Sequence, residues 1–560
     1  MLLLLSSTRM LFCSFFLARI LIYSYQLSCT VNSLKTRIPS AKSSLIHAGS
    51  NPITSKPSTA FGIKKKNIAK QSLTKQASKK EKKFTRNEKT LLKLYLRDFK
   101  TGWYRVHRAK FDWKGYLAPC AKHTKWGINS AGWKNRKLKT CAANSFISKW
   151  DIRPAGEFSR FFIQSKTSNN HTKNIGGDSW RVHIKGRSSV SATVFDHNNG
   201  VYEVLFLLME AGFYQIEITL DYTLCDGFKD PPAYWYKKGC TQGKRQPKGI
   251  LKGDYPFLAE IFGHGKSISM VVPESKHSKK LLVAMAKIRR NIFRSNASTR
   301  NAKKGGKKKR CCSVNCPSLI FDGLGRWIHD KWKPYIEEND LKREPHNHEG
   351  ILWVYGDSVS RRFAESLMVN GSRSVICRKI FKRCKLTYTW VYNVQNELRV
   401  TKNGKDYNHK KVMREINKVL DDKELDEHSV ILLNWGIHFV HAVNFANFQK
   451  LIDDFITTVE HKRRKGQFKS KIIWRTTTAI FRERLGFPHR DSYRFLTFSR
   501  IILFNAYATS AMCKAGIDVI DVYPMTDSFP PGTVSKRDPF HYRRHPLRSV
   551  EKLLYHKFKP

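Results

Sequence analysis

Two spacings of apolar residues divide this chain. Between residues 150 and 275, short runs of β-branched and aromatic residues are separated by turn signals, one of which is Asp196–Gly200. Asn and Gly adopt positive φ at little cost, so each run predicts a strand that reverses into the next. The runs are Arg181–Ile184, Ala192–Phe195, Tyr202–Leu207 and Tyr214–Leu220. Their spacing predicts an all-β sandwich.

Residues 318–560 follow a different pattern, in which short apolar runs alternate with longer helical spacings. Runs that are apolar on both faces are typical of strands in a parallel sheet, which helices cover on both sides. An apolar stripe from Phe445 to Val459 has helical spacing and predicts one of those helices. We therefore expect an α/β domain with a flavodoxin-like parallel sheet. The candidate strands are Ile351–Tyr355, Val430–Leu433, Lys471–Trp474 and Gly516–Val522.

Two segments are strongly basic. Gly62–Lys89 has 11 basic residues against 2 acidic ones, and Lys276–Arg310 has 14 Lys and Arg and no acidic residue. Blocks of like charge repel and stay extended, so we expect a disordered basic stem over residues 29–100 and a basic linker over residues 276–317. Each segment would be either a solvated spacer or a binding site for an anionic glycan.

The composition limits the class of protein. The chain has 560 residues, 103 Lys and Arg against 44 Asp and Glu, and a formal net charge of +59. With 41% hydrophobic residues it can bury a core, which excludes a wholly disordered or collagen-like protein. A charge this large first suggests nucleic acid. No nucleic-acid-reading motif accompanies it, however, and we expect no specific nucleic-acid partner.

The start of the chain favours export instead. Met1–Gln26 contains apolar runs and no acidic residue, but Arg9 and Arg19 interrupt it. Its longest clean run is therefore far short of the ~20 residues that a transmembrane helix needs. Residues 1–28 predict a signal peptide or a signal anchor, with a buried helix as the alternative. We expect a protein of the secretory pathway, either secreted or a single-pass type II protein of the Golgi or plasma membrane.

Cysteines and glycosylation sequons agree with that compartment. Twelve cysteines are present, and disulfides are expected in the compact regions, although their connectivity stays open. The cysteines that lie near one another there are Cys120/Cys141, Cys225/Cys240 and Cys377/Cys384. The candidate glycosylation sites are Asn170, Asn296 and Asn370.

The β region resembles a known repeat. Phe162-Ile163, Gly176-Gly177-Asp178, Arg181–Ile184 and Gly212-Phe213-Tyr214 are similar to positions of a filamin-type immunoglobulin repeat. The resemblance implies an immunoglobulin/filamin-like β-sandwich over residues 150–275, in which the glycines and tyrosines are structural. Such a domain would position a neighbouring domain or bind a partner.

One serine of the α/β region is placed for chemistry. Gly356-Asp357-Ser358 follows the strand Ile351–Tyr355 and precedes a helical pattern over Val359–Met368. A serine at such a turn exposes its hydroxyl at the carboxyl edge of the sheet, beside the free N–H groups of a helix start. Ser358 is therefore a candidate nucleophile. The alternative is a helix cap without chemistry.

A candidate base and its orienting carboxylate lie near the end of the chain. Asp538 and His541 follow the last candidate strand, and a flavodoxin-like sheet brings both of its ends to one edge. A nucleophilic serine needs a base, and a histidine base needs a carboxylate on its other ring nitrogen. Ser358, His541 and Asp538 therefore form a candidate Ser-His-Asp triad.

These motifs resemble the GDSL/SGNH hydrolases. Asp322–Trp327, Gly356-Asp357-Ser358 and Asp538–Tyr542 are similar to the PC-esterase branch, which includes plant trichome-birefringence-like wall acetyltransferases and sialate O-acetyltransferases. With the preceding β domain, the chain resembles the neurexophilin and PC-esterase domain family. The resemblance implies an SGNH-like PC-esterase domain over residues 318–560. It also implies oxyanion donors at Gly371 and Asn434, although the usual GxND motif is absent.

Other polar residues have alternative roles. Arg361 and Arg475 are candidate substrate contacts, although Arg475 is equally placed to cap a helix. Two histidine pairs, His438/His441 and His541/His545, have the spacing of metal ligands, but no HExxH motif or completing carboxylate accompanies them. We expect neither a metal nor a cofactor, and the sequence does not predict the oligomeric state.

The sequence thus predicts an exported serine acyl-transfer enzyme. It would act as an O-acetyl esterase or an O-acetyltransferase on a glycan or glycoprotein substrate. The glycan preference is what the resemblance implies. The alternative is a secreted or membrane-anchored neurexophilin-like binding or signalling protein that retains a non-catalytic esterase scaffold.

Overall fold

The computed structural model of the protein describes residues 84–126, 136–231, 257–298, 318–336, 343–368, 375–391, 407–484 and 493–560. The strands in these ranges are β1 Thr140–Asp151, β2 Phe158–Thr167, β3 Ser179–Gly186, β4 Ser189–Ser191, β5 Thr193–Asp196, β6 Val201–Leu207, β7 Gly212–Tyr222, β8 Glu260–Ile261, β9 Ile268–Val272, β10 Leu319–Phe321, β11 Gly325–Ile328, β12 Lys331–Pro334, β13 Ile351–Gly356, β14 Arg383–Tyr388, β15 Val430–Leu433, β16 Lys471–Arg475 and β17 Asp518–Ile520. The α-helices are α1 Arg86–Ala109, α2 Trp113–Leu117, α3 Lys279–Ser298, α4 Ser358–Met368, α5 His409–Leu420, α6 Gly436–Ala442, α7 Phe445–Arg464, α8 Phe498–Lys514, α9 Tyr523–Asp527 and α10 Arg544–Phe558.

The predicted sandwich is confirmed. One antiparallel sheet has the order β1-β2-β6-β5, and the other has the order β12-β11-β4-β3-β7-β8, with β9 also paired to β7. Side chains along β2 alternate between buried and half-buried positions, as expected when one face meets the core. The core between the sheets includes Ile163, Trp180 and Tyr202. The first strand begins at Thr140, before the predicted boundary at residue 150.

The later half of the chain contains a six-stranded parallel sheet. Its order is β10-β17-β16-β15-β13-β14. Every residue of β13 and β15 is buried, which explains their continuous apolar runs. Helices α5 to α8 pack on one face, and α4 and α10 pack on the other. Because β15 lies beside β13, the turns that follow these two strands are neighbours at the carboxyl edge.

The stem predicted to be disordered ends in a helix. Helix α1 begins at Arg86, within the predicted stem, and a capping box precedes it. In this box the Glu88 N–H donates to Thr85 Oγ1 at 3.1 Å, and the Thr85 N–H donates to Glu88 Oε2 at 2.8 Å. Tyr95, Phe99 and Trp103, four residues apart, line one buried face. This apolar face outweighs the charge repulsion on which the prediction rested, because the basic side chains point to solvent.

The predicted basic linker is helical as well. Helix α3 covers residues 279–298 and packs beside α1, where the Phe293 ring lies 4.6 Å from Trp103 and 5.7 Å from Phe99. Leu281, Met285 and Phe293 are buried. The prediction of an extended linker over 276–317 is therefore wrong for this stretch, because the charge count concealed an apolar stripe.

The sandwich and the parallel sheet are interleaved. Hairpin β11–β12 lies within the region predicted as the separate domain 318–560, yet β11 pairs with β4 of the sandwich through Trp327 and Ser189. The Trp327 indole N–H donates to the Met525 carbonyl at 2.9 Å, so one side chain joins both regions. The segment Asp322–Trp327, which resembles the PC-esterase branch in sequence, thus contributes to strand β11 of the neighbouring sheet.

A buried arginine ties the same two regions together. The Arg500 guanidinium donates to the carbonyls of Val440 (3.0 Å), Val443 (2.7 Å) and Lys229 (3.1 Å) and pairs with Asp230. Arg500 is fully buried, so these acceptors replace the water that the charge has lost.

Disulfides are present in both regions. Cys377 pairs with Cys384, while Cys120 pairs with Cys225 across the junction between α2 and the end of the sandwich. Cys141 is a free thiol. None of the helices in the described ranges is long and apolar enough to cross a membrane. The predicted signal segment, residues 1–28, lies outside the described residues.

Candidate active site

The turn after β13 is fixed by Asp357. Its buried carboxylate accepts the N–H groups of Val359 (3.0 Å) and Ser360 (3.2 Å), and its carbonyl accepts the N–H of Arg361 (2.8 Å). Asp357 therefore caps helix α4, which begins at Ser358. The N–H of Ser358 makes no hydrogen bond with any residue that the structure describes, so it can donate to a ligand.

Asp357 also holds the turn after β15. Its Oδ2 accepts the N–H of Ile437 at 3.0 Å. Gly436 precedes Ile437 with a φ of 66°, and a Cβ at that position would lie 2.0 Å from Asp357 Oδ2. Only glycine fits this close approach, so Gly436 allows the two turns to pack against each other.

The loop that carries Asp538 and His541 is held by Arg484. The guanidinium donates to the carbonyls of Thr533 (3.0 Å) and Pro531 (3.1 Å) and to the Thr533 hydroxyl (2.7 Å). The Thr533 hydroxyl in turn donates to the Asp538 carbonyl. Arg484 thus fixes a segment that has little regular secondary structure of its own.

The structure brings Ser358, His541 and Asp538 together. His541 Nε2 lies 2.7 Å from Ser358 Oγ, and Nδ1 lies 2.9 Å and 3.1 Å from the two carboxylate oxygens of Asp538. Burial raises the pKa of Asp538, but the N–H groups of His541 and Phe540 and the adjacent imidazole outweigh it and hold the pKa below its ordinary value. The ionised carboxylate keeps Nδ1 protonated, which leaves Nε2 free to accept the serine proton.

The triad opens into a cleft of about 590 Å³. Trp390 and Tyr388 line one part of it, and the Trp390 indole N–H donates to the Tyr388 hydroxyl at 2.6 Å. Tyr493 and Phe540 line another part, with their ring centroids 4.9 Å apart. Aromatic walls around a few polar groups are typical of small-molecule sites of this size.

His438 lies in the same cleft. It follows Ile437, which is bonded to Asp357, and its ring packs against Trp390 at a centroid distance of 5.5 Å. Burial lowers the pKa of His438 to about 4, an effect that Asp357 opposes and His541 reinforces. The imidazole is therefore neutral at physiological pH.

Asn434 does not face the nucleophile. Its amide nitrogen donates to the Arg475 carbonyl (2.8 Å) and to Thr477 Oγ1 (3.3 Å), and the side chain is 1% exposed. Both amide hydrogens are thus used inside the protein, and the expected oxyanion role has no support in this geometry. Asn434 does follow β15, as predicted, but its amide is hydrogen-bonded to buried groups and not directed at the cleft.

Arg475 is likewise buried beneath the site and does not line the cleft. Its Nη2 donates to Ser360 Oγ at 2.7 Å and to Asn434 Oδ1 at 3.2 Å, and 2% of the residue is exposed. The expected substrate contact is therefore replaced by a supporting role under the start of helix α4.

Arg361 lies at the rim of the cleft, as a substrate contact requires. It is exposed, its guanidinium lies 5.2 Å from the centroid of the Tyr388 ring, and its Nε donates to Glu365 at 2.6 Å. Gly371 lies outside the described residues. The segment after β14 borders the nucleophile turn, because the Thr389 N–H donates to the Gly356 carbonyl at 2.8 Å.

The three candidate glycosylation sites differ in setting. Asn170 is exposed in a turn with a φ of 63°. Asn296 lies on helix α3, and Asn370 lies outside the described residues. Within the described ranges, no group of three or more His, Cys, Asp and Glu side chains could hold a metal ion.

The sequence did not identify several residues that support the site. Asp357, Gly436 and Arg484 hold the two turns and the closing loop. The spacing of His438 predicts only a metal ligand. Gly436 carries a readable signal, because a glycine just after a buried strand indicates a close backbone approach. Arg484 carries none, because its partners lie about fifty residues away in the chain.

Comparison with known proteins identifies the sandwich. Residues 140–226 match the Filamin/ABP280 repeat. The crystal structure of the Lin-41 filamin domain is similar to this chain at 20% identity and a TM-score of 0.13, covering 14% of this chain and 80% of that one. A second solved structure is 13% identical with a TM-score of 0.24 and covers 37% of this chain and 94% of its own. No curated protein matches the chain.

The protein is thus a multidomain protein that contains a filamin-type, immunoglobulin-like repeat. The match covers strands β1 to β7 of the sandwich and does not extend to the parallel sheet that carries Ser358.

Proposed function

We propose that the protein is a serine acyl-transfer enzyme of the SGNH-like PC-esterase type. The observation that carries the proposal is the hydrogen-bonded chain from Ser358 Oγ through His541 to Asp538, which opens into a cleft. Its support comes from position as well as distance, because the serine begins a helix at the carboxyl edge of a parallel sheet. The same turn is capped by Asp357 and carries the Ser358 N–H, which makes no hydrogen bond with the described residues.

The geometry supports a two-step reaction. Ser358 Oγ attacks the ester carbonyl carbon while His541 Nε2 takes the hydroxyl proton. When the tetrahedral intermediate collapses, the ester C–O bond breaks and His541 returns that proton to the leaving alcohol. Water or a second hydroxyl then attacks the acyl-serine with His541 as base, which forms an acid or a new ester and restores Ser358.

The substrate class follows from the resemblance of the motifs to PC-esterases. We propose an O-acetyl group on a glycan or glycoprotein, which the enzyme either hydrolyses or transfers. Two features of the cleft suit such a ligand: its aromatic walls offer apolar faces to a sugar ring, and Arg361 at the rim offers a cationic hydrogen-bond donor.

The proposal is tested by hydrolysis of p-nitrophenyl acetate with the purified full chain and its Ser358→Ala variant. Removal of a triad nucleophile is expected to lower kcat by several orders of magnitude. Ser366→Ala is the matched control, because Ser366 lies on the same helix, outside the cleft, and donates to the Phe363 carbonyl. It should keep the wild-type rate.

Equal rates for the wild type and Ser358→Ala would overturn the proposal and favour the non-catalytic scaffold with a binding or signalling role. If turnover depends on Ser358, an acetylated sugar offered together with a second sugar separates the two reactions. Release of acetate alone indicates an esterase, whereas acetyl appearing on the second sugar indicates a transferase.

A further inference from the structure

Among the described residues, the nucleophile turn offers one backbone N–H to an oxyanion. When serine attacks an ester, negative charge develops on the carbonyl oxygen, and hydrogen-bond donors aimed at that oxygen stabilise the transition state. The N–H of Ser358, which makes no hydrogen bond with the described residues, is one such donor. Asn434, the side chain expected to be another, is bonded to Arg475 and Thr477 in the interior. Within the described ranges, another group that lines the cleft would have to supply the second donor.

The sheet order points to the turn after β15. This turn lies beside the nucleophile turn, and Asp357 bridges them by capping helix α4 and accepting the Ile437 N–H at 3.0 Å. His438 is the next residue, so one peptide bond and one hydrogen bond separate it from Asp357, the residue that precedes Ser358. Its side chain lines the cleft together with Ser358 and His541.

The imidazole of His438 is available to a ligand. It makes no hydrogen bond with the described residues and is half-buried, with its ring packed against Trp390. The groups that act on it electrostatically are Asp357 and His541, and burial keeps it neutral. A neutral imidazole carries one N–H donor, which is the group that an oxyanion requires.

We propose that His438 is a catalytic residue of this acyl transfer, whose imidazole N–H donates a hydrogen bond to the oxyanion together with the N–H of Ser358. The inference rests on the proposed function. The second donor is then His438, four residues after Asn434, which the resemblance to SGNH hydrolases had implied. No proton is transferred in this role: His438 donates a hydrogen bond when the oxyanion forms and keeps its proton when the oxyanion collapses.

The test compares four full-length proteins: the wild type, His438→Phe, His438→Gln and His438→Asn. Phenylalanine keeps a ring against Trp390 but has no N–H, so it separates donation from packing. Gln and Asn place an amide N–H near the positions of the two imidazole nitrogens. His461→Ala is the matched control, since His461 is exposed at the end of α7. Steady-state kinetics with p-nitrophenyl acetate and thermal unfolding are measured for each.

His438→Phe is expected to lower kcat by about 10²–10³-fold, the usual effect of losing one oxyanion donor, with KM nearly unchanged. Gln or Asn should recover at least about tenfold of that loss, and the control should match the wild type. The pH profile should keep its shape in every variant, because His541 remains the base.

Two results would overturn the inference. One is a His438→Phe protein that turns over at the wild-type rate, and the other is equal loss in the Phe, Gln and Asn variants with unchanged unfolding temperatures. Ser358→Ala, measured alongside, separates this failure from that of the proposed function. If wild-type turnover depends on Ser358 while His438→Phe is unaffected, the role of His438 alone is wrong.

Discussion

At the scale of single residues, Asp538 has two separable roles. Its Oδ1 accepts the N–H groups of Phe540 and His541 at 3.0 Å each, which shapes the loop, and the carboxylate as a whole orients the imidazole. An asparagine could keep the first role with its carbonyl oxygen. Its NH₂ group, however, would donate to Nδ1 of His541 and place the ring proton on Nε2, where it blocks transfer from Ser358.

We therefore predict that Asp538→Asn lowers kcat by about 10⁴-fold while the protein stays folded. Steady-state kinetics and thermal unfolding of the full chain check this. Because the pKa of Asp538 is lowered, the wild-type carboxylate stays ionised above its ordinary pKa of about 4. The wild type should thus lose the orienting charge only in acid, as the pH falls through the folded pKa. An Asp538→Asn protein with wild-type kcat would contradict the role.

At the scale of elements, the loop that carries Asp538 and His541 depends on a side chain from outside it. Residues 531–541 contain little regular structure, and Arg484 satisfies several of their carbonyls at once. A guanidinium suits this purpose because its five N–H groups form a planar fork. The Phe481 N–H also donates to the Pro539 carbonyl at 3.0 Å. Phe481 and Arg484 therefore hold the loop at two separate places.

We predict that Arg484→Met lowers kcat roughly 10- to 100-fold, because loosening the loop moves His541 away from Ser358. KM should change little, since Arg484 does not line the cleft. Arg484→Lys restores the charge but not the fork and should recover only part of the loss. Rates are compared with those of Arg543→Met, which removes an arginine just beyond the loop. Equal kcat in Arg484→Met and the wild type would show that residues 531–541 keep their conformation without Arg484.

The elements also show which features a sequence reveals. The sequence predicts buried strands such as β13 and β15 almost to the residue, because short continuous apolar runs are typical of strands buried on both faces. Helix α1 was missed although its signals are local: Thr85 and Glu88 form a capping box, and three aromatic residues follow at helical spacing. The high positive charge of the segment concealed this apolar pattern.

Some features of the candidate site can likewise be predicted from the sequence and others cannot. The triad was predictable because each member follows a strand that the pattern reveals. The orientation of Asn434 was not, because it depends on Arg475 and Thr477, which reach it only in the folded protein. Position along the chain identifies which residues reach the sheet edge, whereas competing partners decide which of them face the cleft.

At the scale of the whole molecule, the sandwich supports the cleft. Leu496 lines the cleft, and the next residue, Thr497, donates through its hydroxyl to the Gly227 carbonyl at the end of the sandwich at 2.6 Å. Two residues further on, Ser499 Oγ lies 2.9 Å from Ser179 Oγ of β3. The wall of the candidate active site is therefore built on the filamin-type repeat.

This interleaving gives a prediction about fragments. Residues 318–560 contain the whole triad, yet separation from the sandwich would leave Arg500 without Lys229 and Asp230, and β11 without β4. Removing one partner of a buried charge costs about 3–5 kcal/mol, which is a large share of the roughly 5–15 kcal/mol that stabilises a folded protein. The fragment would also expose core that Cys225 and Phe228 now cover.

We therefore expect the 318–560 fragment to show no cooperative thermal transition and no Ser358-dependent esterase activity. A fragment of residues 82–560 should unfold in one transition and keep the activity of the full chain. Co-expression of residues 82–317 with the fragment is the control, since supplying the missing contacts in trans should restore soluble, active protein. A 318–560 fragment that unfolds cooperatively at the temperature of the longer protein would show that the parallel-sheet region folds independently and that the sandwich has a separate role.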